Sequence, residues 1–524
     1  MPRTRGGSLW RSAIAIVVVV GCTAAATAAA GLLQLKQVAQ DFGQVAAITG
    51  AGKHLVIPSP GAPQTLLLIG VDHRPGGSGP GNTDTMMLVR INDSSKTINL
   101  LSIPRDLAVD IPGVGISKIN AAYADGGSKL LLQTLNDDVF PGIKVNHILI
   151  VDFQSFARLV TSLGCVYTAV DRRYYNQNDG QSIANDFSSI DIEPGYQKLC
   201  GNNGAPDSAL AFVRFRHNDS DLVRESRQQD FLRWAKSQFT TDELVSNEAR
   251  LFRTFGKNVQ TDRALHSVDG IDELFGLAVN ADGSEVKSFQ FPVAGSETVS
   301  GGDDLTFQES ASAQTYREFM TPTTSIPTVG RAALGTGRAR RKGRKRGKLL
   351  FTLPKGMFAD QSDGRAQAAA LGSVGMPVYY PRDLPEGFLY CSTITANCDE
   401  ASNPATAYTN SYPRRYEIDG PDNKRYPAYV FTLVESSGDE TELGTGQFFN
   451  VQGTTWQDPP LLRDPSLVRV VNGKRLDIYS QGGQISTVAW HTRQGVYWIQ
   501  NTLQNFVGNQ QMVAMAATLA RAGR

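Results

Sequence analysis

Residues 65–71 read TLLLIGV, an almost unbroken apolar run of single-strand length. Such a run suits a strand covered on both faces, which commits the chain to a layered α/β architecture around a central sheet. Residues 85–91 and 97–103 read as two further strands, joined by the turn formers Asn92, Asp93, Ser94 and Ser95. A short apolar strand is expected at 147–151 and a helix at 153–163. Helical periodicity recurs at 226–239 and 243–255, and 286–293 is placed to close the sheet. Interleaved strands and helices predict an α/β/α domain with a mixed central sheet, spanning 65–320.

The flanking segments set location. Arg3, Arg5 and Arg11 precede residues 13–33, an uncharged stretch about as long as the roughly 20 residues a helix needs to cross a bilayer. Positive charge ahead of the span predicts a cytoplasmic N-terminus (1–12), one transmembrane helix (13–33) and an extracytoplasmic remainder. A cleaved signal peptide is the alternative, because Ala24 to Ala30 offers small-residue cleavage sites; either way the domains are exported. Residues 34–64 then form a juxtamembrane segment closed by Pro58, Pro60 and Pro63. After the domain, 321–348 carries nine Lys and Arg between Arg331 and Lys348 with almost nothing to bury, as expected of a disordered basic linker. Retention of acidic polymer or anionic lipid headgroups is its alternative reading. Residues 349–524, rich in Tyr, Val, Thr and Gly, predict a smaller C-terminal α+β domain with strand-like pieces at 428–434, 467–471, 475–479 and 495–500 and a helix at 510–521.

Charge and cysteine usage narrow the function classes. With Lys+Arg 51 against Asp+Glu 50, no global field favours nucleic acid. Beyond Cys22 in the apolar run, Cys165, Cys200, Cys391 and Cys398 form an even set compatible with two disulfides in an oxidising compartment. No zinc-site spacing is present in the sequence.

Two stretches carry chemistry. Asp72 follows the first strand and Asp84 precedes the next, so both carboxylates are expected at strand ends, where hard oxygen ligands suit Mg2+. Arg105 lies just past the third strand, stiffened by Pro104; an Arg105–Asp106 surface pair is the plain alternative. Farther on, Arg214, Arg216, His217, Arg224, Arg227, Gln228 and Gln229 crowd together. Alternation places Arg214 and Arg216 on one face of a strand, and helical spacing places Arg224, Arg227 and Gln228 on one side of a helix start. Guanidinium forks bind a diphosphate bidentately, so the cluster reads as an anion pocket. It reads equally as a solvated helix face balanced by Asp219, Asp221, Glu225 and Asp230.

The succession LLLIGVD, NTDTMMLVRI, LLSIPRDLAVDIPG, SKINAAYADGG, VDFQSFARLV and VRFRHNDSDLVRESRQQ resembles the LytR-CpsA-Psr family of cell-wall phosphotransferases over residues 65–232. The resemblance implies one membrane helix, an extracellular α/β/α domain, and transfer of a glycopolymer phosphate from a polyprenyl diphosphate carrier to peptidoglycan. It gives Asp72 and Asp84 the Mg2+-associated roles and Arg105 the catalytic arginine role. Arg214, Arg216, Arg224 and Gln228 would hold the diphosphate, with Arg227 and Arg74 as neighbours. Cys165 with Cys200 resembles actinobacterial members. We therefore expect Cys165 to pair with Cys200, and Cys391 with Cys398 to close a short loop. The C-terminal region departs from the valine- and glycine-rich accessory domain often attached in those members.

The expected chemistry is attack by a muramic-acid hydroxyl on the sugar-proximal phosphorus, with polyprenyl phosphate leaving. The sequence names no general base. Phe153, Phe156, Leu159 and Val160 are candidates for an apolar groove under the isoprenoid tail. A polyprenyl diphosphate pyrophosphatase and a non-catalytic surface anchor for wall polymer or lipid are the competing readings.

Overall fold

A computed structural model describes residues 47–59, 61–72, 81–176, 189–201, 207–215, 219–238, 248–280, 284–299, 302–321, 353–360, 362–391, 398, 412–435 and 447–523. The segments expected as cytoplasmic (1–12) and membrane-spanning (13–33) lie outside these residues, as does the basic linker from 322 onward. Among the described residues no helix is long and apolar enough to cross a membrane.

The apolar run becomes the centre of a six-stranded sheet. Its strands are β1 (Gln64–Asp72), β2 (Asn82–Asn92), β3 (Thr97–Ser102), β4 (His147–Asp152), β5 (Gln260–Thr261) and β6 (Glu285–Phe289). They lie in the order β5-β4-β1-β2-β3-β6. β1 runs parallel to β4 and antiparallel to β2, while β6 runs parallel to β3, so the sheet is mixed. Helices α1 (Ile119–Thr134), α2 (Phe153–Ser162), α3 (Ala209–Arg214), α4 (Asp221–Ser237) and α5 (Glu309–Met320) surround it. Alternation sends Leu67, Ile69, Met86, Leu88 and Leu101 into a core with Ile119, Leu131 and Phe319 of α1 and α5. The opposite side chains, Met87, Leu100 and Val286, meet Leu232 of α4. Each such fully buried aliphatic side chain stabilises the fold by about 1.5–3 kcal/mol.

The domain begins earlier than residue 65. Ile48 N–H donates to Thr261 O and Val56 N–H to Val145 O, both at 2.8 Å, and Ala51 is buried in the same core. Backbone pairing therefore docks residues 48–56 onto β5 and the lead-in to β4, where proline punctuation places the domain entry at residue 65.

Helix α4 contradicts the solvated-face reading. Arg224, Glu225, Ser226, Arg227, Gln228, Gln229 and Asp230 are all buried on it. Gln229 Nε2 donates to Ser102 Oγ (2.9 Å) and Phe289 O (3.1 Å), and Asp230 accepts from Arg233 (2.7 Å). Ser220 caps the helix by accepting from Val223 N–H. A helix so polar stays buried because its side chains find partners within the α/β body: Gln228 on Val213, Gln229 on Ser102 and Phe289, Arg227 on Phe215 and Asp219.

A second sheet is built from β7 (Phe388–Tyr390), β8 (Arg414–Asp419), β9 (Arg425–Glu435), β10 (Phe448–Thr454), β11 (Leu467–Val471), β12 (Lys474–Gln481), β13 (Gln484–Thr492) and β14 (Gly495–Gln500). It is eight-stranded and antiparallel, in the order β7-β9-β10-β14-β13-β12-β11 with β8 on β9. One face, including Phe449, Val451 and Ile499, packs on Met512, Val513 and Ala516 of α6 (Asn509–Thr518). The other face, with Ala489 and Trp498, shares a core with Tyr167, Tyr196, Phe231 and Trp234. Asn450 Nδ2 donates to Val170 O (2.9 Å) and Tyr167 OH to Asp419 O (2.8 Å) across the same junction. The C-terminal residues are thus fused to the α/β body through a common core. A chain ending at residue 321 should leave Tyr196 and Trp234 uncovered and be recovered mainly as aggregate. Comparable soluble yield and urea midpoint for the shortened chain would contradict the shared core.

The structure pairs Cys165 with Cys200 and Cys391 with Cys398. Loop closure of this kind contributes about 2–4 kcal/mol through the unfolded state.

Candidate active site

The ends of β1 and β4, the start of β2 and the exit of β3 meet at one edge of the sheet, the edge where α/β folds present ligands. Asp72 closes β1. Asp84 lies inside β2, where the ladder steps from Gly70↔Thr85 to Val71↔Thr83, so Asp84 is the extra residue of a β-bulge. A bulge re-aims the side chain it carries. Here Asp84 Oδ1 accepts from Arg105 Nη1 at 2.6 Å. The expectation that Asp84 precedes the strand is corrected accordingly.

Arg105 is fixed from both directions. Ile103 N–H continues the ladder to Met86 O (2.8 Å), and Asn120 N–H donates to Arg105 O (3.3 Å). Its guanidinium approaches three carboxylates: Asp84, Asp106 (3.5 Å) and Asp221 (3.9 Å). Burial pulls its pKa down, but Asp84, Asp106 and Asp221 outweigh burial and hold it above the ordinary value. Asp221, in the first turn of α4, also forms an ion pair with Arg224 (3.2 Å). Arg224 is pulled below its ordinary value, first by burial and then by Arg105, against the attraction of Asp221, Glu225 and Asp84. Its buried Nε has no hydrogen-bond partner among the described residues, leaving one donor for a ligand oxygen.

Arg214 is the last residue of α3, not a strand residue. Ser208 accepts from Ala211 N–H, and the capped apolar segment that follows folds as helix where alternation suggested strand. The Arg214 guanidinium lies 3.9 Å over the Phe153 ring, and Phe153 opens α2 directly after β4. Ala209 N–H donates to Cys200 O (2.8 Å), so the Cys165–Cys200 disulfide anchors the start of the helix that ends in Arg214. Gly201 makes this possible: any Cβ there would strike the Ala157 backbone of α2. Gln228 Nε2 donates to Val213 O (3.1 Å), tying α4 to the same segment. Arg74, Arg216 and His217 lie outside the described residues.

Arg227 is corrected from pocket neighbour to core residue. It is fully buried, ion-paired with Asp219, and donates to Phe215 O (2.7 Å). The proposed tail groove is also corrected in part, because Val160 and Phe156 pack into the core around Phe231. Asp221 and Glu225, read from sequence only as balancing charges, belong to the site. The signal was present in the i,i+3 spacing of Asp221 and Arg224.

Burial raises the Glu225 pKa to about 8, against Arg224, with Asp221 adding to the rise. Glu225 is therefore protonated at neutral pH and unsuited as a general base there. Its folded pKa exceeds the ordinary 4.5, so the folded state binds the extra proton. Its favourable contribution is complete below about pH 4.5 and is lost as pH rises through about 8. Glu225→Gln should flatten that loss and raise the urea midpoint at pH 8 but not at pH 4. An unchanged pH dependence would remove Glu225 from the account.

Among the described residues no cluster of three or more His, Cys, Asp and Glu is poised as a metal cage. The donor set at the edge, two aspartates, fits Mg2+, which takes one or two carboxylates and fills its shell with water and phosphate oxygens.

The LytR_cpsA_psr family model matches residues 34–319. The polyisoprenyl-teichoic acid–peptidoglycan teichoic acid transferase TagU of Halalkalibacterium halodurans is 30% identical over 215 residues, 40% of this chain and 64% of that protein. An uncharacterized protein of Staphylococcus aureus is 29% identical over 220 residues, 41% of this chain and about half (51%) of its own length. Among solved structures, TagT bound to LI-WTA is 25% identical, covering 53% of this chain and 98% of that chain with a TM-score of 0.39.

Proposed function

From the premise that the chain belongs to the LytR_cpsA_psr family, we propose that it is an extracytoplasmic, membrane-anchored phosphotransferase that moves a glycopolymer phosphate from a polyprenyl diphosphate carrier to peptidoglycan. The observation that carries this reading is the chain of alternating charges Asp84–Arg105–Asp221–Arg224 at the sheet edge. A surface anchor for wall polymer needs cations alone. Guanidinium groups held in place by carboxylates beside a further strand-end aspartate suit charge that develops during bond breaking.

Each residue then has a task. Arg224 and Arg214 bind the diphosphate oxygens, with Arg214 held over Phe153 and Arg224 offering its buried Nε. Arg105 lies where charge grows on the phosphoryl oxygens and neutralises it without reorganising. Asp72 and Asp84 would hold Mg2+, which when bound supplies further neutralisation of phosphate charge. The acceptor hydroxyl oxygen forms a bond to the sugar-proximal phosphorus, the bond to the bridging oxygen breaks, and polyprenyl phosphate leaves as the hydroxyl proton is released.

The test uses the full chain in nanodiscs, a radiolabelled polyprenyl diphosphate glycan, and peptidoglycan sacculi with Mg2+ or EDTA. Label should enter the sacculi only with Mg2+. Soluble phosphoglycan without label in sacculi would favour hydrolysis, and an inert substrate would favour anchoring.

A further inference from the structure

The C-terminal sheet carries a cleft of about 600 Å³ lined by Tyr379, Lys474, Arg475, Asp477, Trp490 and His491. One wall is aromatic. Trp490 on β13 pairs across the strands with Tyr497 on β14, their rings stacked at 5.3 Å. Tyr379 stands edge-on to both, 6.0 Å from Trp490 and 4.7 Å from Tyr497. Reciprocal backbone hydrogen bonds with the Tyr429 hydroxyl, at 2.8 and 3.0 Å, hold Tyr379 there. The wall is therefore rigid before anything binds.

Facing it is a cation whose charge no carboxylate among the described residues neutralises. Lys474 Nζ lies 5.9 Å from the Trp490 ring centroid, and its polar contact is Ala516 O at 3.3 Å. Burial pulls its ammonium down to about 8, and Arg382 pushes in the same direction. Asp477, the carboxylate in the lining, is engaged by Arg475 (3.4 Å) and His491 (3.5 Å). A partly buried ammonium without a counter-charge is costly, and an anion seated beside it would remove that cost. An aromatic wall, a cation without a carboxylate partner among the described residues and a hydrogen-bonding rim together suit a ring compound that bears hydroxyls and one acid group.

We propose that this cleft is a binding site for an anionic saccharide, with its ring against Tyr379 and the rim of Trp490 and its acid group on Lys474. The site is separate from the sheet edge that holds Arg105, and its occupancy does not depend on the transfer reaction. The acid group is a carboxylate or a phosphate, and the choice of probes separates the two.

The experiment is calorimetric titration of the full chain with sodium glucuronate, glucose 6-phosphate and glucose. At least one of the two acids should bind saturably and at least tenfold tighter than glucose, the tighter one identifying the acid group. Lys474→Met should weaken that binding tenfold or more with an unchanged or higher thermal midpoint, whereas Lys474→Arg should stay within a few-fold of wild type. Arg105→Ala should leave it unaffected. Equal binding of acid and neutral sugar, absence of saturable binding, or wild-type affinity in Lys474→Met would overturn the proposal. Binding lost in Arg105→Ala but kept in Lys474→Met would assign the anion to the active site and overturn it equally.

Discussion

Arg105→Ala should lower the rate of transfer about a hundredfold or more while leaving affinity for the lipid carrier within a few-fold of wild type. The expectation rests on where Arg105 stands. Its guanidinium is held by Asp84, Asp106 and Asp221, and its backbone is pinned by the β2–β3 ladder and by Asn120. A group so preorganised contributes most where charge develops, and removing one such donor from an enclosed site typically costs about 10²–10³ in rate. Arg105→Lys keeps the charge but loses the planar fork, so it should restore only part of the rate. Arg224→Ala should behave differently, because Arg224 is assigned to the ground-state diphosphate: carrier affinity should fall along with turnover. Single-turnover kinetics with separately measured carrier binding distinguish the two patterns. Full transfer by Arg105→Ala would remove Arg105 from the mechanism.

The second large effect is on stability. Asp219→Ala should cost about 3–5 kcal/mol, the usual result of removing one partner from a buried ion pair. Asp219 accepts from Arg172 (2.7 Å) and also pairs with Arg227, all three being buried. Without it, two guanidinium groups remain among aromatic rings: Arg172 lies 5.0 Å from Tyr174 and 5.0 Å from Phe448 of β10, and Arg227 lies 4.6 Å from Tyr174. Because Phe448 belongs to the C-terminal sheet, the loss should appear as one cooperative transition shifted to lower urea. A change below about 1 kcal/mol would mean that the two arginines are solvated in a way their burial does not suggest.

How far the sequence carried these conclusions depends on the range of the interaction concerned. β1 was legible because an apolar run of strand length has few other uses, and Arg105 because it follows a strand and a proline. Asp84 was legible as a residue but not as a geometry, since its bulge arises only when β2 pairs with β1. Arg214 was misplaced on a strand because two arginines spaced by two mimic alternation, whereas the Ser208 cap decides for helix. The burial of α4 was the least legible of all. Its residues read as a solvated face, and what buries them is distant in sequence: Ser102 and Phe289 take Gln229, and the sheet that packs on Phe231 and Trp234 lies far along the chain. Arg227, expected beside the diphosphate, is a core residue held by Asp219 and Phe215, and nothing in its helical spacing marks the aromatic rings around it. Composition along 349–524 suggested a separate domain because a shared core leaves no local signature.

The most direct test of the proposed chemistry is the identity of the lipid released in a single turnover. The full chain, a synthetic polyprenyl diphosphate glycan, peptidoglycan and Mg2+ are mixed, and the lipid products are measured by mass spectrometry. Attack at the sugar-proximal phosphorus beside Arg105 predicts polyprenyl monophosphate in equal amount to glycan phosphate attached to peptidoglycan. Release of intact polyprenyl diphosphate, with the glycan transferred without its phosphate, would place bond breaking at the sugar carbon and contradict the account.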